Sequence, residues 1–258
     1  MAIAPYIIAI SGKGGVGKTT FTALMVKSII ADYHKKVLVI DADPAANLAL
    51  LLGIQAPISI GQIIDQTKKE VEKKSDFYDG SALLEYRLWE DALLEDPRFH
   101  FLMMGHTAGR GCYCQINEVL TYILENIKSY YDLILLDMDA GLEHLSRNTK
   151  RILDLMLILT DPSFMGFQTV QRIIELSQEL QIPIRKFQLI GNMFSDFKSK
   201  DALKSLSEQL DIELLGIIPL DTILVQINLQ GTSLLDIELN FPAYQEIKQI
   251  IWKILREI

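Results

Sequence analysis

The chain has 258 residues, 49% of them apolar and 22% charged. That is enough apolar material for one large buried core, and it excludes an intrinsically disordered or fibrous chain. A formal net charge of −8 argues against a broad basic footprint for nucleic acid or an anionic membrane. No apolar run is long enough to span a bilayer, and residues 1–10 lack signal-peptide architecture, so the expected compartment is the cytoplasm.

In chain order, residues 6–10 form an apolar run that reads as a buried strand, followed at once by a glycine-rich turn and a helical pattern over 19–32. Val37–Asp41 reads as a second strand. Residues 53–111 are the least regular part. They contain the charge-dense stretch 68–74, read as a solvated helix face, and a strand-like run at 99–104. A helix over 116–130 places Val119, Leu120, Ile123, Leu124 and Ile127 on one stripe. Leu133–Asp137 and Leu155–Thr160 are dense in Ile and Leu, as are 187–192 and 214–219. Helical patterns at 167–180, 198–210 and 244–258 complete the alternation. Apolar runs buried on both faces and separated by helices imply right-handed βαβ crossovers. The expected fold is α/β, a doubly wound and mostly parallel sheet with helices on both faces. The expected organisation is a single domain, 1–258, with an insertion at about 53–111.

The turn after the first strand is Gly12-Lys13-Gly14-Gly15-Val16-Gly17-Lys18-Thr19-Thr20. A glycine-rich loop between strand and helix lets backbone N–H groups converge on phosphate oxygens, and the helix adds its positive N-terminal end. Lys18 is expected to reach the β- and γ-phosphates, the Thr19 hydroxyl to bind Mg²⁺, and Thr20 to contact the α-phosphate. The extra Lys13 makes the loop resemble the deviant Walker A group of dimerising ATPases. That resemblance implies that Lys13 crosses a two-fold interface to the partner's γ-phosphate, as an arginine finger does.

The second strand ends in Asp41-Ala42-Asp43-Pro44-Ala45-Ala46-Asn47, which resembles the switch I segment of that group. Asp43 is the candidate for orienting the attacking water, and Asp41 for supporting the lysine or the magnesium shell. Leu133–Asp137 reads as the Walker B strand, with Asp137 holding Mg²⁺ through water. Asp139 stands where the group often has glycine, and its carboxylate either slows hydrolysis or joins the metal's water shell. Asn192 and Pro219, each closing a strand, are candidates for the adenine pocket. The guanine-reading NKxD signature is absent after Asn192, which favours ATP over GTP.

Cys112 and Cys114 are the chain's two cysteines. In an extended segment, residues two apart point to one face, whereas on a helix they diverge; an extended or turn geometry would therefore aim both thiolates at one ion, and a helix beginning near residue 116 or 117 would favour their ionised form. Two thiolates are half of a Ni²⁺ or Zn²⁺ site; a two-fold dimer supplies the other half. Gly111-Cys112-Tyr113-Cys114 together with Asp137-Met138-Asp139-Ala140-Gly141-Leu142-Glu143-His144-Leu145-Ser146-Arg147 resembles the CooC and AcsF accessory ATPases of carbon-monoxide dehydrogenase and acetyl-CoA synthase. The resemblance implies a cytoplasmic homodimer that uses ATP or ADP with Mg²⁺ and delivers nickel to one of those Fe–S-containing enzymes. It leaves His144 and His106 as long shots for a transient ligand. Two rivals share the glycine loop: a spatial-organising ATPase of the MinD/ParA type, and an electron-transfer ATPase resembling the nitrogenase iron protein. The Lys-, Arg- and Trp-containing tail at 247–256 would serve the first on a membrane, but core packing is the favoured explanation of a terminal helix.

Overall fold

The computed structural model describes residues 4–73, 80–106, 113–126, 130–139, 142, 153–238, 240–256 and 258. In chain order the elements are β1 (Tyr6–Gly12), α1 (Lys18–Asp32), β2 (Val37–Asp41), α2 (Leu48–Leu51), α3 (Ile60–Lys73) and α4 (Gly80–Arg87). A π-helical turn, Leu88–Ala92, extends α4. Then come β3 (Leu94–Glu95), β4 (His100–Met103), α5 (Tyr113–Asn126), β5 (Leu133–Asp137), β6 (Leu155–Thr160) and α6 (Phe164–Glu179). The last are β7 (Phe187–Phe194), α7 (Phe197–Gln209), β8 (Glu213–Pro219), α8 (Thr222–Gln230) and α9 (Pro242–Leu255).

The strands make one sheet in the order β3-β4-β2-β5-β1-β6-β7-β8, parallel throughout except for the short β3–β4 edge pair. The expected doubly wound fold is what forms. Burial on both faces follows from period two. In β1, Ile7 and Ala9 enter the layer built with α3, α5, α6 and α7, whereas Ile8 and Ile10 enter the layer built with α1 and α9. Each such fully buried aliphatic side chain contributes about 1.5–3 kcal/mol relative to exposure. The C-terminal helix belongs to this core: Ile247, Ile250, Ile251 and Ile254 are buried, and only Trp252 of its larger apolar residues faces solvent. Among the described residues, no helix is long and apolar enough to cross a membrane.

Strand register gathers the functional ends. Asp41 pairs with Asp137 and with Met103, Ile10 pairs with Asp137, and Gly12 pairs with Leu159. The carboxyl ends of β1, β2, β4, β5 and β6 therefore share one edge, where open α/β sheets bind ligands. Because α5 leads into β5, which is parallel to β2 and β4, it starts at this same edge and runs back along the sheet.

Several boundaries differ from expectation. Strands β3 and β4 come from within 53–111 and extend the main sheet. Helix α5 begins at Tyr113, three residues before the expected 116, so Cys114 belongs to a helical turn and not to an extended segment. Helix α6 begins at Phe164 and not 167, because the Ser163 hydroxyl caps it by accepting from Gly166 N at 3.0 Å. Phe164 and Met165 are exposed there, so apolar periodicity gives no sign of that first turn. Helix α8 was not expected from periodicity because none of its residues is buried. Its ends are nevertheless written in sequence, with Asp221 accepting from Ile223 N at 2.9 Å and Gly231 stopping it at φ 63°.

Candidate active site

The glycine loop joins β1 to α1. Gly12 has φ 149°, and a Cβ there would run into the carbonyl oxygen of Leu159 on β6. Gly17 caps α1 with φ 90°, and a Cβ there would meet Asn192 Nδ2 at 2.6 Å. Side chains at these two positions are therefore refused both by backbone conformation and by neighbours. Lys18 is 6% exposed and curls into the loop, where its Nζ donates to the carbonyls of Gly12 at 3.1 Å and Lys13 at 3.3 Å. These are substitute acceptors that phosphate oxygens would outcompete as charge-assisted partners.

Lys13 leaves the loop in another direction. Its Nζ donates to Asp161 Oδ2 at 2.6 Å and to Ser163 Oγ at 3.1 Å, in the turn between β6 and α6. Ser163 also donates to Asp161 Oδ1 at 2.5 Å. Burial pushes the Asp161 carboxyl up, but the bonds from Lys13 and Ser163 outweigh it and hold it below the usual carboxylate range. Asp161 was missed from the sequence. The signal available was weak: a polar Asp161-Pro162-Ser163 turn directly after a buried strand.

Three carboxylates face the loop. Asp137 is fully buried; its Oδ1 accepts from the Thr22 hydroxyl at 3.0 Å, and the Thr19 side chain also donates to it. No donor among the described residues reaches the buried Asp137 Oδ2. A buried carboxylate oxygen without a partner is costly, and a hydrated cation removes that cost. Thr19 and Asp137 thus fit Mg²⁺, which would be held with its own waters and the nucleotide phosphates and would neutralise developing charge. Asp41 is also fully buried, its Oδ1 accepting from Asp43 N at 3.1 Å and its Oδ2 from Leu48 N at 3.0 Å. Its role is therefore to tie the switch I segment to the sheet, more than to support the lysine. Asp43 is half-buried; its Oδ1 accepts from Ala45 N at 2.8 Å, and its charge raises the pKa values of both Asp41 and Asp137.

Burial, and next the neighbouring Asp137, push Asp41 up to about 7; burial pushes Asp137 up to about 6 against the bonds from Thr19 and Thr22. Both folded-state values lie above the ordinary 3.8, so the folded chain binds these protons more tightly than the unfolded one. Their contribution to stability is fully present at low pH and is lost as pH rises from about 4 to about 7. Mg²⁺ competes with those protons. Mg²⁺-ADP is therefore expected to raise the melting temperature more at pH 8 than at pH 5.5, by differential scanning fluorimetry; equal increments would remove Asp137 from the metal site.

Asn192 donates from Nδ2 to the Val16 carbonyl at 2.8 Å and accepts Met193 N at 3.0 Å, with Met193 held at φ 64°. It fastens the glycine loop to the end of β7, a role the sequence did not reveal. Pro219 lies beside it, paired across the sheet with Phe194. Thr20 accepts from Asn228 Nδ2 of α8 at 3.4 Å, which brings that helix to the loop. Asp139 is half-buried directly after the Walker B strand. His106 is exposed, its backbone pressed against Gly61. Gly111, Cys112, Ala140, Gly141 and residues 143–147, His144 among them, lie outside the described residues, and Cys114 is described only as part of α5.

A parallel α/β sheet with a phosphate loop at its switch point, a Walker B carboxylate and a threonine pair defines a P-loop nucleotide-binding ATPase. Residues 7–234 match the CobQ/CobB/MinD/ParA nucleotide binding domain, and the chain belongs to that family. It is similar to the "Uncharacterized ATP-binding protein MJ0685" of Methanocaldococcus jannaschii, 34% identical over 254 residues, covering 97% of this chain and 99% of that one. It is also similar to the "Carbon monoxide dehydrogenase accessory protein CooC" of Rhodospirillum rubrum, 30% identical over 242 residues and 89% of each chain. Among solved structures, the MinD cell division protein of Aquifex aeolicus superposes with a TM-score of 0.67 at 26% identity over 98% of both chains.

Proposed function

We propose that this ATPase is a nickel-delivery factor for a carbon-monoxide dehydrogenase or acetyl-CoA synthase, working as a nucleotide-dependent homodimer over the whole of 1–258. The observation that carries the reading is the origin of α5. This helix starts, with Cys114 in its first turn, at the sheet edge that also holds Asp41, Asp137 and the glycine loop. Cys114 therefore starts on the side of the sheet that carries the glycine loop, so ATP-driven closure would bring two Cys-x-Cys segments together on a two-fold axis. Four thiolates would then hold Ni²⁺, with Zn²⁺ as the competing ion. The similarity to CooC supports the same reading.

A dimer face is supported independently. Phe164 (75% exposed), Met165, Phe197 and Leu229 (82% exposed) project from α6, α7 and α8 around the loop. Large apolar side chains clustered about a polar site mark an interaction surface. In the dimer Lys13 leaves Asp161 for the partner's γ-phosphate, Asp43 places the attacking water, and Asn192 and Pro219 border the adenine. Hydrolysis loosens the interface and releases the ion. A membrane-organising role, as in MinD, finds less support, since the C-terminal helix that would serve it is packed into the core.

Linkage makes the test sharp, because nucleotide and metal that favour one dimer must tighten each other's binding by the same factor. Nickel titration combined with sedimentation is expected to give tighter binding, and a dimer, with a non-hydrolysable ATP analogue than with ADP. Cys112→Ser with Cys114→Ser should abolish tight nickel binding and leave ATP binding by the monomer intact. Equal nickel affinity in the two nucleotide states would falsify the coupling.

A further inference from the structure

A second concavity lies away from the nucleotide. Helices α3, α4 and α5 enclose a groove of about 650 Å³ on the outer face of the sheet. Ile64 and Val71 of α3, Leu84 of α4, Leu88 of the π-turn and Val119 of α5 supply its apolar lining. Its rim is acidic: among the described residues, Glu72, Glu85 and Glu118 line it with one cation, Lys68. The Tyr122 hydroxyl of α5 donates to Glu85 Oε1 of α4 at 2.5 Å, tying the two walls together. Thr67 also lines the groove; it is 5% exposed, and its Oγ1 has no hydrogen-bond partner among the described residues.

We propose that this groove docks an amphipathic helix of a partner protein, with an apolar stripe for the floor and Lys or Arg on its flanks. Charge complementarity selects the partner: three carboxylates against one lysine repel an acidic helix and an anionic lipid surface, and attract a basic one. The inference deepens the delivery reading and rests on it for the identity of the partner as the nickel-receiving enzyme. The groove's wall is α5, whose first turn carries Cys114, so a partner seated there lies along the same helix as the proposed metal site.

The test uses the full chain without nickel. The probe is a synthetic peptide of about 18 residues, roughly 27 Å as a helix. It has a Leu stripe at i, i+3, i+4 and i+7 and Lys flanks, and its counterpart carries Glu flanks. By fluorescence anisotropy the Lys-flanked peptide is expected to bind at least about tenfold tighter than the Glu-flanked one, and to weaken with salt. Glu72→Lys with Glu118→Lys, both exposed, should erase that preference while ATP hydrolysis is unchanged. Equal binding of the two peptides, or binding indifferent to the charge reversal, overturns the proposal. One-to-one uptake of an apolar dye that neither peptide displaces also overturns it, in favour of a small-ligand pocket. Failure here with nickel–nucleotide coupling intact removes the groove alone; loss of that coupling removes the delivery reading itself.

Discussion

Replacing Lys13 by alanine is expected to lower kcat for ATP hydrolysis about 10³- to 10⁵-fold, the range that a transition-state cation supplied in trans provides. Binding of ADP by the monomer should stay within a few-fold of the parent, because the P-loop lysine inside the loop is Lys18 and Lys13 is turned outward to Asp161 and Ser163. On the proposed reading the two lysines divide the work: Lys18 cradles the nucleotide, and Lys13 is stored against Asp161 until the interface forms. Steady-state hydrolysis with fluorescent-ADP titration checks this, and parent-like turnover would leave Lys13 a purely structural residue. The companion variant Asp161→Asn isolates the store. The pair is partly exposed, at 31% and 20%, so solvent screens it and its strength is about 1 kcal/mol or less. Freeing Lys13 should therefore let dimers form at an ATP concentration a few-fold lower, with no loss of kcat.

The second large effect is expected at Asp43. Asp43→Asn should lower kcat about 10²- to 10⁴-fold, the usual contribution of a group that orients and deprotonates the nucleophile. Asparagine keeps an oxygen for Ala45 N, the bond that Asp43 Oδ1 makes at 2.8 Å, so the turn should survive. Asp41 continues to hold the segment through Asp43 N and Leu48 N. The variant should therefore accumulate as an ATP-bound dimer, detectable by sedimentation, with hydrolysis stalled. A variant that hydrolyses normally would move the water-positioning role elsewhere, and Asp139 beside the Walker B strand is the next residue to change.

The sequence alone determined the glycine loop, the Walker B strand and the alternation of buried strands with helices. These signals are local: glycine spacing, an Asp closing an apolar run, and periods of two and of three to four. Strands buried on both faces read clearly because every residue of Leu133–Asp137 is apolar except the last. Elements with no apolar stripe to betray them did not read. Helix α8, with no buried residue, and the first turn of α6, with exposed Phe164 and Met165, are the examples.

The tertiary structure decided which distant groups meet. Lys13 finds Asp161 148 positions away, and Asn192 finds the Val16 carbonyl 176 positions away. Asp41 and Asp137 become neighbours only because β2 and β5 pair in parallel in that register. A one-residue slip of either strand would turn its carboxylate to the opposite face. The long-range pairs depend on the order and register of eight strands, which no local pattern encodes. The opening of the phosphate loop was therefore legible in the sequence, whereas the resting place of its extra lysine, the uncapped oxygen of Asp137 and the acidic groove beside α5 belong to the fold.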